Sequence, residues 1–255
     1  MPALFIGHGS PMNAIEETVY SAAWRDVAAS IPRPTEILCI SAHWETEGSC
    51  VTAMEQPRTI HDFYGFPDAL YQVQYPAPGS RPLAARVRSL VKTTAVRPDD
   101  ANFWGLDHGA WSVLRRMYPA ADIPTVQISL DRTQSPRFHY ALGRELQALR
   151  GEGVLVVGSG NIVHNLRLLQ WDAAEPHPWA AEFDRLAGEL ILSGEHDRLV
   201  AYPDLGEAAR LSIPTSEHYL PLLYILALQQ PGEAVSFFAE GLTLGSISMR
   251  SVRIG

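Results

Sequence analysis

Glu36-Ile37-Leu38-Cys39-Ile40-Ser41-Ala42-His43-Trp44 is an apolar run of strand length that breaks off at a histidine. It reads as a strand buried on both faces. Upstream, Ala3-Leu4-Phe5-Ile6 is a second such run, ended by Gly7-His8-Gly9-Ser10-Pro11. Between them Val19/Tyr20, Ala23/Trp24, Val27 and Ile31 recur at helical spacing until Pro32-Arg33-Pro34 stops the pattern. Downstream, Ser49 to Met54 supplies a further strand with more alternation. Apolar strands separated by a covering helix predict an α/β fold, a largely parallel central sheet with helices on both faces. Ligands of such sheets gather at the carboxyl ends of the strands, where His8 and His43 both fall.

The remaining chain repeats this order. Ser80 to Val91 is an amphipathic helix, and a strand follows near Thr94 to Arg97. Asp107 is placed to cap a helix that carries Trp111, Leu114 and Tyr118 inward, with His108 in its first turn, where the helix dipole favours a neutral imidazole. Thr125 to Leu130 is a strand, and Ser135-Pro136 opens a helix whose buried stripe leaves His139 to solvent. Gly153 to Val157 is the most apolar strand and runs into Gly158-Ser159-Gly160-Asn161-Ile162-Val163-His164. A dinucleotide fingerprint would need glycine where Val163 stands, so that reading is weak. Pro178 to Leu192 is a helix flanked by surface histidines, His177 and His196. Pro221 is read as the first residue of a helix from Leu220 to Leu228, which puts His218 in the segment entering it. Val235 to Glu240 and Leu242 to Ile254 are expected to close the chain as a hairpin-like pair about Gly241, making the sheet mixed. With no repeat or composition break, residues 1–255 are expected to form a single domain.

Composition narrows the function. A net charge of -8 without a Lys/Arg cluster argues against nucleic acid. Cys39 and Cys50 are too few for a disulfide framework and are not spaced as a zinc knuckle. No stretch reaches transmembrane length and no leader opens the chain, so a soluble cytoplasmic protein is expected, not membrane-bound. The loop from 55 to 79 is rich in aromatics, proline and glycine, and suits the wall of a pocket for a flat substrate. His61 and Tyr64 in that loop, together with Tyr219, are the candidates for touching substrate.

Several histidines at one sheet edge point to a metal with acid/base groups. Imidazole ligands without cysteine suit zinc, iron or copper. The motifs around His8, His43, His108, His164 and His218 resemble those of the type III extradiol ring-cleavage dioxygenases, in the DOPA-dioxygenase-like branch. The resemblance runs from Gly7-His8-Gly9-Ser10-Pro11 to Glu217-His218-Tyr219-Leu220-Pro221. It implies that His8, His43 and His218 are the metal ligands, with Glu217 the fallback because a related branch uses glutamate as its third ligand. It implies that His164 is the catalytic acid/base and His108 a group that helps hold substrate or oxygen. The expected reaction is Fe(II)-dependent insertion of O2 beside the diol of a small catechol, DOPA-like or other, giving a muconic semialdehyde. Three neutral ligands also make zinc occupancy plausible. The same residues would serve a zinc hydrolase, the competing expectation, which needs no O2. Oligomeric state is not legible.

Overall fold

A computed structural model describes residues 1–171 and 175–255. Among the described residues the strands are β1 (Ala3–Gly7), β2 (Glu36–Thr46), β3 (Ser49–Thr52), β4 (Arg58–Thr59), β5 (Val96–Asp99), β6 (Gly105–Leu106), β7 (Thr125–Asp131), β8 (Val154–Gly160), β9 (Val235–Phe238), β10 (Leu242–Thr243), β11 (Ile247–Ser248) and β12 (Ser251–Ile254). Eight of them make one sheet in the order β5-β3-β7-β2-β8-β1-β12-β9. Its centre, β7-β2-β8-β1, is parallel, whereas β3 joins β7 and β12 joins β1 antiparallel. The mostly parallel, mixed α/β sheet expected from the apolar runs is therefore present.

Side chains alternate across this sheet and fill a core on each face. Phe5, Leu38, Ile40, Val126 and Val156 pack with Phe183, Leu222 and Tyr224 on one side. Leu4, Ile6, Ile37, Leu155 and Val157 pack with Trp24, Trp111 and Leu114 on the other. Helix starts follow local chemistry: Asp107 accepts the Ala110 N–H at 3.1 Å before the helix His108–Met117, and Ser135 accepts that of Phe138 before Pro136–Glu145.

Two expectations are corrected. The chain's last strands are not simple neighbours: β9 pairs with β12, and the small β10–β11 hairpin is inserted between them. Its turn holds Leu244 and Gly245 at φ 52° and 75°, the twist that a tight hairpin requires, but a Leu-Gly pair does not advertise it. His139 is not solvated but fully buried. The helix Pro136–Glu145 crosses Leu220–Ala227 closely at Gly143, where a Cβ would come within 2.9 Å of Ala227 Cβ and the Tyr224 Cα. That crossing sets His139 Nδ1 3.0 Å from Tyr224 OH and Nε2 3.2 Å from the Asp131 carbonyl. Since a carbonyl only accepts, Nε2 carries the proton and Nδ1 accepts from Tyr224.

Burial pushes His139 down to about 4. An unfolded histidine gains its proton near pH 6.5, so between about pH 6.5 and 4 only the unfolded chain is protonated there and stability falls as pH falls. We expect His139 to account for roughly 3 kcal/mol of this loss. Urea unfolding of wild type and His139→Gln at pH 7 and pH 4 checks it: the variant should lose less. Equal losses would place the acid sensitivity elsewhere.

Candidate active site

Each site histidine is held by a distinct device. His8 follows β1, and its N–H still donates to Gly160 O at 3.1 Å, so β1 and β8 remain paired up to the site. His43 lies where β2 slips against β7, the register jumping from Ile40↔Ile128 to Glu45↔Leu130. Such a bulge re-aims a side chain. Gly109, in the first turn of the helix His108–Met117, backs onto it: a Cβ there would stand 2.5 Å from Ser41 Oγ and 2.7 Å from His43 Cδ2. Asp107 fixes both elements, accepting from Ser41 Oγ at 2.6 Å and Gln127 Nε2 at 2.7 Å. His218 precedes the helix Leu220–Ala227, and its carbonyl accepts from Asn161 N at 2.8 Å.

The glycines of Gly158-Ser159-Gly160 have their reason here. A Cβ on Gly160 would fall 2.2 Å from His218 O, and one on Gly158 2.7 Å from Pro221 O. They let the His218 segment lie directly on β8. Gly160→Ala should therefore push His218 out of place and weaken metal binding, at an overpacking cost of about 1–3 kcal/mol. Metal content and thermal unfolding read this out. Wild-type values for both would show that the segment yields without moving the ring.

The rings of His8, His43 and His218 form a nearly equilateral triangle, with centroids 5.1, 5.3 and 5.2 Å apart. Each has its Nδ1 engaged. Ser159 Oγ donates its proton to Gly109 O at 2.6 Å, so it accepts from His8 Nδ1 at 3.0 Å. His43 Nδ1 lies 3.1 Å from Asp62 Oδ2, and His218 Nδ1 3.0 Å from Glu217 Oε1. Carboxylates accept, so these rings too are protonated at Nδ1 and present lone pairs at Nε2. Nε2 of His8 and of His43 face each other at 3.3 Å. Two ring nitrogens at that distance share either a proton, which the raised His43 could carry, or a cation. Nitrogens about 2.1 Å from one ion are spaced about that far apart. His8 and His43 can hold a metal between them with a further imidazole, and such a donor set fits a metal that prefers imidazole.

His108 and His164 flank this triangle. His108 N donates to Asp62 Oδ1 at 2.9 Å, and its Nδ1 lies 2.9 Å from the same oxygen. Its ring is 3.9 Å from that of His43 but 6.0 Å from that of His8. Ligand atoms of His8, His43 and His108 nonetheless lie within 4.8 Å of one another, as do those of His164, Glu217 and His218. His164 stacks on His218 at 3.4 Å and 9°.

Electrostatics keeps most of the rings neutral. Burial, then the neighbouring histidines, push His8 and His218 well below the ordinary range. Burial pushes His164 to about 4 against the pull of Glu217, and lowers His108 together with His43 against the pull of Asp62. For His43 burial acts downward too, but the Asp62 hydrogen bond and the Asp107 charge outweigh it and raise the group. Burial alone would raise Asp62, yet the bonds to His108 and His43 hold it below the usual carboxylate range.

A cavity of about 290 Å³ opens on these histidines, walled by Phe63, Phe66, Leu169, Trp171, Leu244 and Ile247 among others. All of His8, His43, His108, His164 and His218 line it. The three residues expected to touch substrate do not. His61 turns away, its Nε2 on the Val73 carbonyl at 2.9 Å and its ring against Trp111. Tyr64 is 92% exposed. Tyr219 is buried behind His218, its OH donating to Leu199 O at 3.0 Å. Their chain neighbours Asp62, Phe63 and His218 face the cavity instead.

Residues 2–238 match the family described as the catalytic LigB subunit of aromatic ring-opening dioxygenase. The chain belongs to that family. The resemblance to the type III extradiol enzymes of the DOPA-dioxygenase-like branch is borne out, and with it ring-opening dioxygenase chemistry. A protein of Escherichia coli (strain K12) named 4,5-DOPA dioxygenase extradiol is 50% identical over 259 residues, covering 100% of this chain and 95% of that one. A Beta vulgaris protein of the same name is 40% identical, covering 86% of this chain and 83% of its own. The crystal structure of an uncharacterized E. coli K12 protein superposes with a TM-score of 0.88 at 44% identity, covering 100% of both chains. Among the described residues, no helix is long and apolar enough to cross a membrane.

Proposed function

We propose that the 255 residues form one catalytic domain that inserts O2 beside the diol of a small catechol, giving a muconic semialdehyde, with Fe(II) held by Nε2 of His8, His43 and His218. The observation that carries this is the even triangle of those rings, each with its Nδ1 anchored. Glu217 supports it as a partner of the His218 ring, bonded also to Thr215 Oγ1 at 2.9 Å, rather than as a ligand. Zinc fits the same three imidazoles.

Iron held by these imidazoles would supply Lewis acidity towards the catechol and a path for electron transfer between ring and O2. The chain supplies the rest. His164, neutral above about pH 4, takes a hydroxyl proton from the catechol and returns it as the O–O bond breaks. Stacking on His218 fixes its distance from the reacting oxygens. His108, tethered to Asp62, keeps its other nitrogen for substrate or oxygen. Phe63, Leu244 and Ile247 exclude water from the reacting ring. Both atoms of O2 end in the product, so no further reductant is needed.

The test is O2 consumption by anaerobically Fe(II)-reconstituted protein given catechols, with the visible absorbance of a ring-opened product followed alongside. Uptake with a new yellow chromophore is expected from the iron form and not from the zinc form. Absence of uptake with any catechol, from protein holding one iron, would sink the proposal.

A further inference from the structure

Both oxygens of Asp62, in the loop after β4, are taken up by histidines of the cavity. Oδ2 lies 3.1 Å from His43 Nδ1. Oδ1 accepts the His108 backbone N–H at 2.9 Å and stands as close to Nδ1 of the same residue. The rings of His43 and His108 are 3.9 Å apart there, and Phe63, the next residue, packs its ring at 86° to that of His108. Burial works to protonate Asp62, but its bonds to His108 and His43 outweigh burial and keep it ionised. One carboxylate thus touches a ring of the metal triangle and a ring outside it.

We propose that Asp62 is a positioning residue that joins the two halves of the site. It keeps the proton of His43 on Nδ1, leaving Nε2 bare for the metal, and it holds His108 against the substrate. This rests on the ring-opening reading, in which His43 is a ligand and His108 faces catechol or oxygen. A carboxylate only accepts, so a neutral imidazole beside it must donate from Nδ1. The backbone decides what an amide in that place would do. The His108 N–H can only donate, so the carbonyl oxygen of an Asp62→Asn side chain must take the Oδ1 position. Its NH2 group then faces His43 Nδ1, and two donors cannot share that contact. His43 is driven to carry its proton on Nε2, where it faces His8 Nε2 and blocks the metal. Asp62→Ala differs: it removes the acceptor without opposing Nδ1, so His43 keeps either tautomer, but the His108 N–H loses its partner.

The experiment compares wild type, Asp62→Asn and Asp62→Ala as full chains. Zinc affinity is measured by competition with a chromophoric chelator. KM and kcat are measured on Fe(II)-saturated protein with the best catechol of the O2-uptake assay. The two variants should cross. Asp62→Asn should bind zinc about 10- to 100-fold more weakly than wild type, and more weakly than Asp62→Ala, yet keep KM near wild type once loaded. Asp62→Ala should raise KM about tenfold through the lost hydrogen bond. Loss of charge alone would weaken zinc equally in both variants and could not produce the crossing. Zinc held by Asp62→Asn as tightly as by Asp62→Ala would overturn the tautomer role at His43. A KM for Asp62→Ala no higher than for Asp62→Asn would overturn the hold on His108. If the wild type consumes O2 with no catechol, the ring-opening reading fails instead. Asp62 is then judged by zinc affinity together with catechol binding, read from quenching of tryptophan fluorescence: the same crossing upholds its role, and one common order in both measurements refutes it.

Discussion

His218→Ala should lose its metal and its turnover together, whereas Glu217→Gln should keep the metal. Removing one of three imidazoles leaves two Nε2 lone pairs 3.3 Å apart, those of His8 and His43, without the third corner of the triangle. A two-ligand site cannot fix an ion's geometry, so reconstituted protein should hold far less than one iron per chain and show no measurable O2 uptake. Glu217 acts through its bond to the His218 Nδ1, a contact of the kind whose loss weakens metal affinity or activity about 10- to 100-fold without emptying a site reconstituted in excess iron. Metal analysis after desalting separates the two. An iron-free Glu217→Gln beside a loaded His218→Ala would exchange their roles and make the carboxylate the third ligand. Circular dichroism of both variants excludes a folding defect.

Much of this site could be read from the chain because its parts sit at the ends of the strongest patterns. β1, β2 and β8 are runs that only burial on both faces explains, and His8, His43 and His164 lie at or just past the points where they break off. Pro221 likewise marks the start of the helix that delivers His218. What supports these rings was not legible, because it comes from residues far apart in the chain. Ser159 meets His8 across 151 residues of chain, and nothing local distinguishes it from any serine between two glycines. In the loop from 55 to 79, aromatic content announced a wall but not its phase. Without a period to say which residues face inward, His61 and Tyr64 stood out, while Asp62 and Phe63 are the ones that face the cavity. His139 failed for a related reason: its burial depends on how closely a second helix crosses at Gly143.

His164→Ala should show the opposite pattern to His218→Ala, with iron near one per chain and kcat lower by about 10²- to 10⁴-fold, the range of a lost general acid/base. The metal should stay because His164 meets His218 through its face, at 9° between planes, rather than through a shared nitrogen. Its own environment makes it a proton acceptor: burial holds it near 4 although Glu217 pulls upward, so at neutral pH the ring is unprotonated in the free enzyme. Loss of that base should lower kcat more than it raises KM, since the wall residues that bind the ring are untouched. His164→Gln, which keeps a polar side chain over His218 but cannot accept and return a proton at this pH, should be as slow as the alanine variant. Turnover by His164→Gln within tenfold of wild type would reduce His164 to a packing partner of His218. Iron loss in both variants would make it a ligand, and the proton would then have to pass through His108, the remaining unliganded imidazole on the cavity wall.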